Sequence, residues 1–299
     1  MKAELKSYAP IIFLLLIIMG LTFWSTMSGV GAEKGLPSIS PFNGVLLAVV
    51  GLAAGLVGGI IGTGGCSVML PILHLLLGYP APIAVGTTLF AVIFTAVSGG
   101  YGHLMRGNID KKAILWLGVF GLIGVLFGSW LFIQLSTQTS LLGLILGLAF
   151  LWPAFRMMWE SLTAKKESAK TSTIAGSKLA MGIFGFIVGI FTGLVGLGGG
   201  YALVPGLIYL FNAPVPIAMG TSLVTMIPLT SVGGSIKLLE GFVFLNAGLI
   251  LAAGVVVGAQ VGAALTKRFK TTTLKLIFGL YFLYVSMKFI TGYFGISIW

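Results

Sequence analysis

Five stretches of this chain carry no Asp, Glu, Lys or Arg: residues 7–32, 35–105, 113–155, 179–236 and 241–266. One bilayer crossing takes about 20 consecutive apolar residues, so these stretches hold many crossings. Apolar residues make up 58% of the 299 and charged ones 8%, against about 25% charged in a soluble domain. Too little charge is present to coat a water-facing surface, which excludes a soluble enzyme. A transmembrane β-barrel would show alternating segments of about 10 residues. Continuous apolar runs point instead to an all-α polytopic membrane protein.

The remaining chemistry is sparse. The single cysteine, Cys66, excludes an intramolecular disulfide and any paired-cysteine metal motif. Two histidines and six acidic residues are too few for a haem, iron–sulfur or di-iron site. A net charge of +11 would suggest nucleic acid in a soluble chain. Here it reflects the bias of Lys and Arg towards cytoplasmic loops, so the expected partner is the lipid bilayer and no nucleic acid.

The N-terminus allows two readings. Lys2 and Lys6 precede an apolar run, and Val30-Gly31-Ala32 resembles a signal-peptidase site. Residues 7–32 are also long enough to span, with Trp24 placed as an interfacial aromatic. A retained helix is favoured, and both readings put the N-terminus in the cytoplasm.

A shift of 134 residues aligns 51–131 with 185–265 without a gap, and 27 of the 81 positions are identical. Gly62, Gly64 and Gly65 fall on Gly196, Gly198 and Gly199. Pro71, Pro80 and Pro82 fall on Pro205, Pro214 and Pro216. LGLILGLAF at 142–150 resembles LKLIFGLYF at 274–282, with the offset shortened by two. Each copy predicts five hydrophobic segments: 43–61, 66–79, 82–104, 113–135 and 140–159, then 178–195, 200–213, 216–236, 247–266 and 274–295. The predicted organisation is an N-terminal transmembrane helix and outer loop over 1–42, a first repeat over 43–160, a cytoplasmic linker over 161–177 and a second repeat over 178–299.

Five is odd, so the two copies should enter the membrane from opposite sides. With the N-terminus inside, 14 of the 17 basic residues fall on cytoplasmic segments; Lys34, Lys237 and Lys288 do not. The expected fold is therefore two inverted five-segment repeats with short Gly-broken helical hairpins, plus an extra N-terminal helix, with the C-terminus outside.

Inverted-repeat transporters bind substrate near the midplane, where matching helices are short and broken. Here those segments are GTGGCSVMLP at 62–71 and GLGGGYALVP at 196–205. Glycines bring backbone N–H groups close to a ligand, and a helix starting just after the turn adds unpaired donors and partial positive charge. A 14-residue segment such as 66–79 is about 21 Å long as helix, short of the roughly 30 Å hydrocarbon core. The expected anion site is therefore Gly62, Thr63, Gly64, Gly65, Cys66 and Ser67, facing Gly196, Gly198, Gly199, Gly200 and Tyr201. Packing is the alternative for any of these glycines, and it is the favoured reading for Gly51, Gly55 and Gly59. Cys66 aligns with Gly200, so the repeat does not require a thiol.

Thr87-Thr88 and Thr221-Ser222 are a second matched polar pair, with binding and bonding to their own backbone both open. His103 and Lys237 also align. Intramembrane ionisable groups are functional candidates, here for gating or anion attraction, but both lie near an interface and can snorkel. His74 suits a bond to a neighbouring carbonyl. Glu240 and Asp110 do not resemble buried proton or sodium sites.

At GLVGGIIGTGGCSVMLPIL, PIAVGTTL and RGNID, and again at GLVGLGGGYALVPGL and PIAMGTSL, the chain resembles the sulfite exporter TauE/SafE family of membrane permeases. The resemblance covers about residues 43–292. One departure is Gly-Thr-Gly-Gly-Cys in the first copy, where the usual loop ends in a third glycine. The resemblance implies carriage of sulfite, sulfonates, sulfoacetate or related small anions, with no cofactor, no metal and no catalytic residue. The expected function is a multipass inner-membrane permease, and export of a small anionic substrate is favoured. An ion-coupled importer, a passive anion channel, a membrane assembly factor and an intramembrane enzyme are the alternatives.

Overall fold

A computed structural model describes residues 2–28, 39–162, 174, 176–266 and 271–295. The Val30-Gly31-Ala32 tripeptide and most of the 161–177 linker lie outside the described residues. Eleven α-helices are present among those described: α1 Lys2–Ser28, α2 Pro41–Ile61, α3 Cys66–Pro71, α4 Ala81–Met105, α5 Lys111–Leu135, α6 Thr139–Leu162, α7 Lys178–Val195, α8 Gly200–Tyr209, α9 Val215–Leu239, α10 Leu245–Leu265 and α11 Thr271–Tyr293. A π turn over Ile72–Leu76 follows α3. Eight helices among the described residues are long and apolar enough to cross a membrane: α1, α2, α4, α5, α6, α7, α9 and α10. The chain is a multipass α-helical membrane protein.

Helix boundaries follow local chemistry. Ser40 caps α2 by accepting from the Asn43 N–H, and Pro41 sits at its first turn, where a missing N–H costs nothing. Ser177 caps α7 through the Ala180 N–H. The Asp110 carboxylate caps α5 by accepting from Lys112 and Ala113, and its other oxygen accepts from Ile174 N–H. The 66–79 segment departs from the expected continuous helix. Its α-turns end at Pro71, and the chain continues as a π turn closed by the Leu77 N–H on the Ile72 carbonyl.

The repeat sets the packing. Gly51, Gly55 and Gly59 of α2 lie against the backbone of Leu251, Val255 and Ala259 in α10, so closely that a Cβ would meet main-chain atoms. The same register, advanced by the repeat offset, sets Gly185, Gly189 and Gly193 of α7 against Leu117, Gly121 and Val125 of α5. These glycines are packing surfaces, as expected, and the two helix pairs run parallel. The repeat-equivalent helices α4 and α9 cross antiparallel, with Gly99 against Leu223 and Gly233 against Leu89. Helices α6 and α11, also repeat-equivalent, pack on each other far more than on the rest of the bundle. Helix α1 rests on α10, where Ser25 Oγ donates to Asn246 Oδ1 at 2.7 Å.

Candidate functional site: the junction of two glycine loops

Each repeat ends its first long helix on a left-handed glycine. Gly62 caps α2 at φ 82° and Gly196 caps α7 at φ 72°. Two more left-handed glycines follow in each copy, Gly64 and Gly65 at 80° and 76°, and Gly198 and Gly199 at 67° and 81°. L-residues with a Cβ rarely tolerate this region. The backbone then turns directly into α3 at Cys66 and into α8 at Gly200.

These loops meet. Gly200 lies on the Thr63 backbone, so a Cβ there would strike Thr63 Cα. Tyr201 Oη accepts a 2.8 Å hydrogen bond from the Ser67 N–H, an amide of the first turn of α3. Cys66 is fully buried, with its sulfur against the Leu197 carbonyl oxygen and near the Tyr201 hydroxyl. Val92 and Met226, 134 residues apart, each cover both Gly64 and Gly198. The structure thus brings Gly62–Ser67 and Gly196–Tyr201 into one constellation. Among the described residues, no hydrogen bond engages the amide N–H of Gly64, Gly65, Gly198 or Gly199. Amides in the first turn of a helix have no intrahelical partner, and left-handed glycines just before the turn add to that set.

Hydroxyl pairs frame the junction. Ser222 Oγ donates to the Gly62 carbonyl at 3.0 Å, tying α9 to the first loop. Its equivalent, Thr88, is buried with its hydroxyl unpartnered, as is the hydroxyl of Ser67. Thr87 and Thr221 do something else. Thr87 Oγ1 accepts from the Phe244 N–H and Thr221 Oγ1 from the Asp110 N–H, both at 2.9 Å. These are the same bond in the two repeats, and each ties the start of a long helix to the segment entering α10 or α5. Neither threonine hydroxyl bonds its own backbone.

His103 and Lys237 form another matched pair. His103 Nε2 donates to the Gly59 carbonyl at 3.2 Å, and Lys237 Nζ donates to the Gly193 carbonyl at 2.5 Å. Lys237 Nζ also lies 4.2 Å from the Phe132 ring centroid, a cation–π contact. Both side chains are completely buried, so they do not snorkel to an interface. They hold the helices that deliver Gly62 and Gly196.

Sequence reasoning passed over three residues at or near this junction. Val92 and Met226 carry no signal, being apolar residues in apolar helices. Arg156 lies near the end of α6, within the predicted 140–159 segment, and its guanidinium lies 4.1 Å from the Tyr209 ring centroid. Together with Thr63 and Tyr201 it lines a cavity of about 40 Å³ beside the loops, which is room for a few waters. His74 behaves as expected, its Nδ1 bonding the Tyr79 carbonyl at 2.7 Å. Among the described residues, no cluster of three or more His, Cys, Asp or Glu could hold a metal.

Comparison with known proteins agrees with this architecture. The family described as "Sulfite exporter TauE/SafE" matches residues 47–289. A probable membrane transporter protein of Bacillus subtilis, YdhB, is 31% identical over 231 residues, 77% of this chain and 94% of its own length. Another from B. subtilis, YunE, is 28% identical over 78% of this chain and 92% of its own length. A third, MJ0441 of Methanocaldococcus jannaschii, is 28% identical over 78% and 90% respectively. No solved structure matches the chain. The family match spans both glycine loops, most of α2 and every helix from α3 to α10, so this chain is a membrane transporter belonging to the sulfite exporter TauE/SafE family.

Proposed function

We propose that the protein is an inner-membrane permease for a small sulfur-containing or organic anion, of sulfite, sulfonate or sulfoacetate type, bound where the two glycine loops meet. One observation supports this reading: the two glycine loops meet, and among the described residues the amides of Gly64, Gly65, Gly198 and Gly199 have no protein acceptor beside the two helix starts. Such a cradle favours negative charge by its backbone alone, so the ligand needs no cationic side chain at the centre. Thr88 and Ser67 add unengaged buried hydroxyls at the rim.

The two repeats are inverted in the membrane, with the N-terminus and linker cytoplasmic and the C-terminus outside. The basic residues support this, as do the antiparallel crossings of α4 with α9 and of α6 with α11. A cysteine tag at Thr171 should then label only from the cytoplasmic side; labelling only from outside sinks the inverted model. Export is favoured energetically. A membrane potential is worth about 2.3 kcal/mol per unit charge per 100 mV, and with a negative interior an anion leaves downhill without a coupling ion.

Proteoliposome flux decides the function. Radiolabelled sulfite, sulfoacetate and taurine are offered with imposed pH, Na⁺ and voltage gradients. Saturable flux of at least one anion, with counterflow and acceleration by voltage, is expected. Flux without saturation or counterflow makes the protein a channel. Accumulation that requires H⁺ or Na⁺ makes it a coupled importer, and no flux of any anion removes the reading.

A further inference from the structure

The loop junction is not the largest space in the molecule. A cavity of about 510 Å³ opens at the far end of the α6–α11 pair. The π turn contributes His74 to its wall, the start of α6 Thr139 and Ser140, and the end of α11 Lys288 and Tyr293. No Asp or Glu lines it, so the Lys288 charge faces the cavity without a carboxylate in the wall. The His74 ring is fixed by donation from Nδ1 to the Tyr79 carbonyl and by stacking on Phe289 at 5.2 Å. With the proton on Nδ1, Nε2 offers only a lone pair, so His74 shapes the wall and Lys288 is the group that attracts an anion.

A second observation comes from the repeat. With the shortened offset of 132, Lys288 of α11 aligns with Arg156 of α6. The two helices run antiparallel, with Gly147 against Ile290 and Gly279 against Met158. Equivalent positions therefore lie at opposite ends of the pair, and each cation lines a cavity between the pair and the body of the bundle. Between the cavities runs a file of rings. Phe289 stacks on Phe150, Phe150 meets Phe282 at 5.8 Å, and Phe282 meets Tyr201 edge-on at 5.5 Å. Tyr201 is the residue that bonds the Ser67 amide. A cation lining an apolar-walled cleft concentrates anions there, because the low-dielectric walls focus its field.

We propose that the cavity lined by Lys288 and His74 is a second binding site, an antechamber that takes a small soluble oxyanion before it reaches the glycine loops, with the Arg156 cavity as its counterpart at the opposite face. This rests on the anion-permease reading above. The ring file between the cavities is the barrier that the anion must pass.

Sulfite is the probe, and the full-length protein is used throughout. Isothermal titration in detergent tests the site without transport; Lys288→Gln should weaken sulfite binding about tenfold, the loss of one charge-assisted contact. In uniformly oriented vesicles, Lys288→Gln should raise KM about tenfold for sulfite offered at the Lys288 face. Its maximum rate and its KM at the other face should hold. Arg156→Gln should give the mirror result, and Lys288→Arg should restore wild-type behaviour. Sulfite binding without flux sinks the permease reading and leaves the site standing. Flux with KM unchanged at both faces in Lys288→Gln overturns the site. So does an equal loss at both faces that Lys288→Arg does not rescue, since that marks a structural role. Vesicles of phosphatidylcholine, with and without phosphatidylglycerol, identify the occupant. A Lys288→Gln effect confined to the phosphatidylglycerol vesicles means that a lipid phosphate fills the cavity, and it overturns the proposal.

Discussion

The two glycine loops share a backbone and differ in almost every side chain. Gly62, Gly64 and Gly65 repeat the φ angles of Gly196, Gly198 and Gly199 to within about 15°. Between and after them the first copy places Thr63, Cys66 and Ser67, and the second places Leu197, Gly200 and Tyr201. The α-turns after the first loop stop at Pro71, whereas those after the second continue to Tyr209. What is common to both copies is the set of amides, and what differs is the side-chain collar. Under the function proposed above, charge recognition belongs to the shared backbone, and the differing collar shapes which anion fits.

The most severe way to break that equivalence is to put a side chain on it. Gly64 and Gly198 both hold φ near +70° to +80°, and a Cβ on either would run into the Met226 methyl and Val92. Gly64→Leu and Gly198→Leu should each abolish flux of every anion while the protein still reaches the membrane. Immunoblotting of membrane fractions alongside proteoliposome flux measures both. Normal flux in either variant would reduce that loop to packing and end the split-site reading.

A second test moves from the loops to the helices that hold them. Gly55→Ala and Gly189→Ala force a Cβ into the backbone of Val255 and Gly121 respectively. Helix separation should cost each variant about 1–3 kcal/mol, the usual penalty for overpacking. Gly118→Ala is the control, since nothing lies within 4 Å of a Cβ there. Thermal unfolding in detergent should show two similarly lowered midpoints and a control that holds or rises slightly, since Ala in an open helix position is favoured over Gly by about 0.5–1 kcal/mol. A large drop in only one of the pair would mean that the two helix seams are not equivalent.

Much of this was legible because glycine and proline cannot be exchanged freely where they matter. Left-handed turns and close helix approaches pinned Gly62–Gly65, Gly196–Gly199 and the Gly51/Gly55/Gly59 face in the sequence. The predicted hydrophobic segments placed the ends of the long helices from α2 onward within about three residues. The π turn after Pro71 was not legible, because hydropathy does not distinguish one helical pitch from another over five residues. Val92 and Met226 were invisible for a related reason: an apolar side chain over a loop reads like any other in a membrane helix. His103 and Lys237 were found, but their bonds to Gly59 and Gly193 needed three dimensions. Arg156 was counted only as a cytoplasmic-side cation, because a basic residue near the end of a predicted span reads as an interfacial charge. Its pairing with Lys288 was further masked by the two-residue change in repeat offset.

A subtler asymmetry is the bond across the junction. Tyr201 reaches from the second loop to the Ser67 amide, and the first copy has nothing equivalent to offer, since Ser67 is the residue aligned with Tyr201. Tyr201→Phe removes one acceptor and leaves the ring against Phe282. One hydrogen bond is worth about 0.5–1.5 kcal/mol, so the unfolding midpoint should fall slightly. KM should change by up to about tenfold, since the freed Ser67 amide joins the amides open to the anion. An unchanged KM would place that amide outside the binding surface.

The smallest effect belongs to Cys66, and it separates backbone recognition from recognition by the thiol side chain. Cys66→Gly makes the first loop match the second at that position, where Gly200 offers no side chain. If amides carry the charge, flux should change by a few-fold at most, because the thiol supplies only weak donor contacts to Leu197 and Tyr201. Cys66→Ser keeps a small polar group and should stay equally close to wild type. Larger replacements discriminate nothing, since the site is fully buried and a bulky residue fails on steric grounds. The informative assay compares sulfite, a pyramidal anion, with a bulkier tetrahedral sulfonate; neither reacts with a reduced thiol, so a difference between them reads contact and fit at Cys66. Loss of both substrates in both variants, with insertion intact, would make the thiol essential and the amide cradle wrong. Loss of sulfite alone would locate selectivity in the collar, on the one copy of the loop that departs from three glycines.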